Sequence, residues 1–138
     1  MNWVDKRADK EHAISLQADF IWERLVRALK DSVDTFSKRY PEKSKREYGS
    51  DQSGAFWVKK TVPDVMGQGG HWIFKSVAIC FTLNRDSHTI AVDGHTAKPT
   101  TLAIDAEDGR VFLTSNGIEK SIEECCQSAI ETFLFNDD

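Results

Sequence analysis

Three glycines stand within four positions in the stretch GQGGHWIF, residues 67–74. A phosphate-binding loop needs glycines that open a helix, with Lys-Ser or Lys-Thr at its start, so that backbone amides meet the anion. Gly67, Gly69 and Gly70 lead instead into a strand-like pattern, and neither that dipeptide nor the G-x-G-x-x-G spacing follows. The glycines therefore predict a hairpin turn and not a phosphate site.

The histidines and cysteines show no metal-binding pattern. A structural zinc site needs Cys or His pairs two to four residues apart, matched by a second pair. The four histidines form no such pairs with each other or with Cys80, while Cys125 and Cys126 fall in or beside an apolar helical stripe, as buried thiols do. No G-x-S-x-G elbow occurs, although a Cys–His pair that meets only in space stays open. We expect no catalytic residue, metal, cofactor or enzyme activity.

Basic residues cluster around two tyrosines in SKRYPEKSKREY, residues 37–48. Cations beside aromatic rings can hold phosphates while the rings stack on bases, and anionic lipid headgroups would meet the same charges. Glu42 and Glu47 dilute the positive field, so a solvated linker is the competing interpretation. The residues of this predicted anion-binding site are Lys38, Arg39, Lys43, Lys45, Arg46, Lys59 and Lys60.

The N-terminal 40 residues predict one long helix. Apolar residues recur at steps of three and four from Ile14 to Tyr40, which marks one face of an α-helix. Pro41 ends the pattern because the residue before a proline avoids helical angles. Residues 9–40 alone would form a rod of about 48 Å at about 1.5 Å per residue, which is long for so small a domain.

The rest of the chain predicts a linker, a sheet and a second helix. Residues 41–54 are polar and rich in turn formers. Alternation with a period of two over residues 55–115 predicts five antiparallel strands in a meander, with a hairpin at EDGR. Residues 121–135 begin with a capping box, Ser121 and Glu124, and continue as an apolar stripe.

These elements predict a single α+β domain over residues 1–138. Each helix has one apolar face, so the simplest burial places both on one face of the sheet, in two layers. The charged N-terminus is no secretory signal, and the longest apolar run, Val77–Phe81, is far shorter than the ~20 residues of a membrane span. Three cysteines, two of them adjacent, fit a reducing compartment. We therefore expect a cytoplasmic protein without a transmembrane segment.

Aromatic side chains are predicted on the sheet face that the helices leave to water. If alternate residues from His71 to Leu83 meet the helices, Trp72 and Phe74 lie on the opposite face, where Trp57 would join them. Such a face should be polar, so an aromatic patch there indicates a surface for a protein partner or for a second copy of the chain. The competing interpretation is that residues 41–52, or a second copy, cover the patch structurally.

The segment TTLAIDAEDGRVFLTSNGIEKSIEECCQSAIETFL resembles the tail of SUKH-type bacterial immunity proteins. In that family a hydrophobic strand, an acidic turn with Gly-Arg, a second strand and a serine-capped helix ending in Phe-Leu follow in this order. The resemblance implies a non-enzymatic protein that binds and neutralises a toxin. The residues that carry it are Ile104, Asp105, Gly109, Val111, Ser121, Phe133 and Leu134.

We predict a small binding protein whose partner is another protein, with toxin neutralisation as one version. Residues 61–138 carry 5 Lys and Arg against 12 Asp and Glu, a charge that would steer a basic partner. Two alternatives stay open: binding of nucleic acid or anionic lipid through the basic residues, and a small-ligand pocket between sheet and long helix, lined by Trp22, Trp57 or Phe81. A homodimer is also expected.

Overall fold

The structure, a computed structural model, describes residues 2–94 and 99–136. The chain forms helix α1, seven strands and helix α2, an α+β fold with one antiparallel sheet, as the sequence predicts. The helices are α1, Trp3–Arg39, and α2, Ile122–Phe135. The strands are β1 Arg46–Ser50, β2 Phe56–Met66, β3 Trp72–Asn84, β4 Thr89–Gly94, β5 Thr100–Glu107, β6 Arg110–Ser115 and β7 Ile118–Lys120.

Helix α1 begins and ends on local signals. The side chain of Asn2 caps it by accepting a hydrogen bond from the backbone N–H of Asp5 at 3.0 Å. The apolar stripe from Ile14 to Phe36 is buried, and the chain leaves the helix at Tyr40, just before Pro41. Its 37 residues span about 55 Å, and because residues 3–12 are exposed, the first turns lie beyond the core.

The prediction of five strands is wrong, because the sheet has seven in the order β1-β2-β3-β4-β5-β6-β7. Strand β1, Arg-Glu-Tyr-Gly-Ser, lies inside the predicted polar linker 41–54. It has no apolar alternation, since it is an edge strand that pairs only with β2. A side-chain turn sets up that pairing: the carboxylate of Asp51 accepts from the backbone N–H groups of Ser53 and Ala55 at 2.9 and 3.1 Å.

Strand β7 is the second strand missing from the prediction. It follows β6 after a two-residue turn in which Asn116 and Gly117 have φ of 53° and 78°. Asn-Gly is a preferred sequence for such a turn, so the sequence did indicate a hairpin here. The strand after it was not predicted because three residues are too few to show alternation. The predicted EDGR hairpin is confirmed between β5 and β6, with Glu107 paired to Arg110.

One core cluster joins both helices to the sheet. The buried strand residues alternate with exposed ones, as in Phe56 and Val58 of β2 or Ile79 and Phe81 of β3. They pack with the stripe of α1 and with Cys125, Cys126, Ile130, Phe133 and Leu134 of α2. We call the side of the sheet that contributes to this core the inner side, and the opposite side the outer side.

Candidate functional site

Strands β2 and β3 run farther than their neighbours, which leaves a two-stranded ribbon. Strand β1 pairs with β2 only as far as Arg46 opposite Lys60, and β4 pairs with β3 only from Gly94 opposite Ile79. Residues 61–78 therefore extend past the sheet, and we call them the hairpin arm. Only Val62 within the arm is buried; residues 63–76 are exposed apart from the partly buried Gly67.

The glycine stretch forms the tip of the hairpin arm. The backbone N–H of Gly67 donates to the carbonyl of His71 at 2.7 Å, and a short 3-10 turn, Gln68–Gly70, lies between them. Gly69 and Gly70 have φ of 82° and 79°, the left-handed region that glycine tolerates best. The glycines thus lie in a turn, as predicted from the sequence.

The hairpin arm exposes five large apolar side chains. Each is between 51% and 57% accessible: Val65, Met66, Trp72, Ile73 and Phe74. Met66 pairs with Trp72, Pro63 with Phe74 and Val65 with Ile73. Because side chains alternate along a strand, the first two pairs lie on the outer side of the arm and the pair Val65–Ile73 on the inner side. Exposed apolar side chains gathered in this way on one projecting element are typical of interaction surfaces.

The predicted aromatic site is divided into two places. Trp57 pairs with Cys80, eight residues along β3 from Trp72, or about 26 Å at about 3.3 Å per residue. It is half-buried against Gly49 of β1, where a Cβ atom would overlap its ring. The ammonium of Lys59 lies 4.2 Å from the centre of that ring. Trp72 and Phe74 therefore form a site at the hairpin arm, and Trp57 packs at its base.

The two backbone edges of the hairpin arm differ in their capacity to pair. On β2, Pro63 has no N–H to donate, and the register shift between Pro63 and Val65 leaves Asp64 as a bulge. Proline and bulges are common protections of edge strands. On β3, residues 72–78 have neither, and within the described part of the chain no strand pairs with their far side. Among residues 2–94 and 99–136, the β3 edge is thus open to another strand.

The sequence carried one signal of the hairpin arm that alternation alone did not reveal. The alternating stretch HWIFKSVAICFTLN has 14 residues and the next one, TIAVD, only five, so the longer strand must extend past the shorter. The alternating stretch before them, AFWVKKTV, stops at Val62, and the Pro63 that follows disfavours a strand interior. Strand β2 continues to Met66, since Pro63 lies where β2 has no second neighbour.

Two residues of the predicted anion-binding site are buried instead at the end of α2. Arg46 and Lys60 are only 3% and 2% exposed. A terminal nitrogen of Arg46 donates to the carbonyl of Leu134 at 2.8 Å, and the ammonium of Lys60 donates to those of Phe133 and Asn136 at 2.7 and 2.6 Å. Cations suit the partial negative charge of a helix C-terminus, so this pair caps α2.

The remaining cations of the predicted anion-binding site lie near the end of α1 and on the outer side of the sheet. Lys38 and Arg39 lie in the last turn of α1, Lys43 in the turn that follows, and Lys45 pairs with Glu47 at 3.3 Å. Lys59 lies on the outer side of the sheet, over Trp57.

The tyrosines of the basic stretch are also engaged in the fold. Tyr40 packs against Phe36 and Phe135, with ring centres 4.9 and 5.4 Å away. The hydroxyl of Tyr48 donates to both carboxylate oxygens of Asp34 at 3.2 Å. Burial, and secondarily the neighbouring Asp34 carboxylate, raise the pKa of Tyr48. Both tyrosines thus make contacts within the fold.

The thiols of α2 are packing residues. Cys125 and Cys126 are buried, and burial raises the pKa of both. The Sγ atom of Cys126 lies 3.3 Å from the hydroxyl of Ser32 on α1. In the part of the chain that the structure describes, no group of His, Cys, Asp and Glu could hold a metal ion.

Comparisons with family models, with curated proteins and with solved structures found no match to this chain. The resemblance to SUKH-type immunity proteins therefore stays a prediction. Over residues 2–94 and 99–136, neither helix has the length and apolar character needed to cross a membrane.

Proposed function

We propose that this protein binds an extended segment of a partner protein along the β3 edge of its hairpin arm. The observation that carries the proposal is the arm itself, which leaves the sheet with five apolar side chains at least half exposed. Burying such side chains is favourable at about 25 cal/mol per Å² of apolar surface. A partner that covers the arm would gain this free energy.

The form of the partner follows from the open edge of β3. Residues 72–78 present backbone N–H and carbonyl groups to a further strand, while Pro63 and the bulge at Asp64 obstruct the edge of β2. In strand addition, backbone hydrogen bonds supply affinity and alternate side chains supply specificity. The partner segment is therefore extended, with apolar residues at alternate positions that contact Trp72 and Phe74.

The rest of the domain holds the hairpin arm in place for binding. We take both helices to form one layer on the inner side, as expected from the sequence, which leaves the outer side without cover. The ion pair between Lys75 and Asp64, at 3.3 Å, joins the two strands of the arm and favours a preformed ribbon. Binding to a preformed strand requires less ordering on association.

A peptide selection tests the proposal directly. A random peptide library displayed on phage is panned on the full protein, with counter-selection on an arm-shortened variant in which residues 63–74 are replaced by Asn-Gly. We expect enrichment of peptides with alternating apolar residues. In fluorescence anisotropy, Trp72→Ser and Phe74→Ser should each weaken a selected peptide at least about 10-fold, as loss of an interface hot spot does.

Matched controls distinguish specific binding at the β3 edge from nonspecific binding to exposed apolar side chains. Leu16→Ser and Phe20→Ser remove apolar side chains on α1 that are 71% and 57% exposed, and should leave peptide affinity unchanged. Alternate backbone N–H groups of a bound peptide strand point toward β3 and away from it. N-methylation of the nitrogens that point toward β3 should abolish binding, and N-methylation of the others should be tolerated. Equal binding to the arm-shortened variant would refute the proposal.

Other occupants give different results. A second copy of the chain on the arm would appear as a dimer in sedimentation that the arm-shortened variant loses, and would overturn the proposal of a foreign segment. Binding to anionic vesicles or to RNA that falls steeply between about 50 and 200 mM salt would favour the alternative of a charged ligand. The proposal of a foreign segment predicts neither result for the wild-type protein, and it replaces the homodimer that the sequence led us to expect.

A further inference from the structure

We infer that a cavity between α2 and the sheet binds a small aliphatic amino acid, at a site separate from the hairpin arm. The cavity has a volume of about 310 Å³ and lies between α2 and residues of β3 to β7. Ligand sites in proteins run from about 300 to 1,000 Å³, so this one fits a small molecule.

The helix side of the cavity is one face of α2. Glu124, Ser128 and Thr132 line it at spacings of four residues, with Ala129 and Phe133 beside them. From Glu124 to Phe133 the helix rises about 13 Å, so the cavity is an elongated slot. On the sheet side, Ile79, Val92 and Leu102 supply an apolar wall.

Opposite charges line the same slot near each other: the charge of Lys120 contributes to the lowered pKa of Glu124, although no salt bridge joins the two side chains among the described residues. The described residues also include no hydrogen bond from the Lys120 ammonium. One oxygen of Glu124 accepts from the backbone N–H of Ser121 at 3.1 Å, and a carboxylate can accept several further hydrogen bonds. The same backbone contact lowers the pKa of Glu124, so this carboxyl is ionised at neutral pH.

An amino acid satisfies both charges together. Its carboxylate would accept from Lys120 and its ammonium would donate to the second oxygen of Glu124, each a charge-assisted hydrogen bond. Its side chain would then lie along the slot against Ile79, Leu102 and Phe133, all three buried in the core. An aliphatic side chain such as that of leucine matches this apolar wall.

Calorimetric titration of L-leucine into the full protein tests the inference. We expect saturable binding of one leucine per chain. Three analogues should each bind at least about 10-fold more weakly: 4-methylpentanoate lacks the ammonium, 3-methylbutylamine lacks the carboxylate, and glycine lacks the side chain. If 4-methylpentanoate binds as tightly as leucine, the assignment of a zwitterion is overturned.

Variants place the binding in the slot. Lys120→Met and Glu124→Gln should each weaken leucine at least about 10-fold, and Gln keeps the capping box with Ser121, so the helix start is preserved. Lys45→Met removes a charge elsewhere and should have no effect. Ala129→Phe should block binding by filling the slot; if it fails to fold, the Glu124→Gln and analogue results decide.

The outcome is independent of the proposed function. The arm-shortened variant should bind leucine with wild-type affinity, since no residue of 63–74 lines the cavity. No detectable binding of leucine to the wild-type protein, or unchanged binding to Lys120→Met, would overturn the inference while leaving the hairpin arm untouched.

Discussion

Single residues at the end of α2 show how position decides the role of a charge. Lys59 and Lys60 are neighbours in β2, but alternation points Lys59 to the outer side and Lys60 into the core. Lys60 lies 4.6 Å from the centre of the Phe133 ring and donates to two carbonyls at the last turn of α2. Its long side chain carries the ammonium past apolar neighbours to those carbonyls.

We predict that Lys60→Met lowers the free energy of unfolding by about 1–3 kcal/mol. The carbonyl of Phe133 would lose a donor in a buried site, and an unsatisfied buried polar group costs about this much. The carbonyl of Asn136, which is partly exposed, would keep its hydrogen bond from Arg46. Urea denaturation measures the loss.

Lys59→Met is the matched control for this prediction. It removes the same charge one residue away, and its contact with Trp57 is worth less than about 1 kcal/mol at an exposed site. Equal effects of the two substitutions would show that Lys60 does not support α2.

At the scale of elements, α1 needs an anchor because it is longer than the core that it covers. The ammonium of Lys10 pairs with the carboxylate of Asp105 on β5 at 2.7 Å, close to where the helix leaves the core. This contact with Lys10 lowers the pKa of Asp105. The hydrogen bond from Lys10 contributes most to the lowering, and the backbone N–H of Ala106 and the charge of Lys10 add to it.

The pair makes a pH-dependent contribution to stability. Because the pKa of Asp105 is lower in the folded protein than the unfolded value of about 3.9, the contribution is fully present above that value and lost as pH falls through the folded pKa. We predict that Asp105→Asn destabilises by at most about 1 kcal/mol at pH 7, since both side chains are partly exposed.

Denaturation curves from pH 7 to pH 2 would check this dependence. The stability difference between wild type and Asp105→Asn should vanish at the acidic end. Asp108→Asn removes a charge from the same hairpin without breaking an ion pair of the described residues, and serves as control. A difference that persists at pH 2 would contradict the electrostatic explanation.

The place where β4 leaves β3 is fixed by a close backbone approach. Gly94 has a φ of 145°, and a Cβ atom there would overlap the carbonyl oxygen of Ala78 and lie 2.8 Å from Cα of Ile79. This approach lies where the hairpin arm begins, so a side chain at residue 94 would disturb the last pair between the two strands.

We predict that Gly94→Ala destabilises the protein by more than about 3 kcal/mol, because backbone strain and steric overlap add. Gly109→Ala is the control: its φ is also positive, at 77°, but nothing lies within 4 Å of the added Cβ, so about 1 kcal/mol is expected. Equal losses in chemical denaturation would show that residues 78 and 79 move aside.

At the scale of the whole molecule, the domain consists of a packed core and the hairpin arm that projects from it. The buried cluster draws on both helices and on β2 to β6, whereas residues 63–76 contribute no buried side chain. We therefore expect the arm to be dispensable for folding, although the proposed function depends on its exposed apolar surface.

We predict that replacing residues 63–74 with Asn-Gly changes the free energy of unfolding by less than about 1 kcal/mol. Val62 and Lys75 already face each other, so a two-residue turn can connect them in register. The change removes only exposed side chains, and surface changes cost little. Thermal and urea unfolding check this; a large loss would show that the arm belongs to the core.

Local signals in the sequence determined the helices and one turn. The stripe from Ile14 to Phe36, the stop at Pro41 and the Ser121–Glu124 capping box each act within a few residues, and the structure contains all three. The EDGR turn is local as well, since Asp108 and Gly109 adopt the positive φ that such a turn requires. These features need no knowledge of distant neighbours.

Only the tertiary structure decided where strands end and which cations are accessible. The polar strand β1 exists because β2 offers it an edge, and the hairpin arm exists because β1 and β4 stop before residues 61–78. Arg46 and Lys60 read as surface charges, but the end of α2 places backbone carbonyls over them. Pairing register and burial depend on residues far apart in the chain, and no local pattern encodes them.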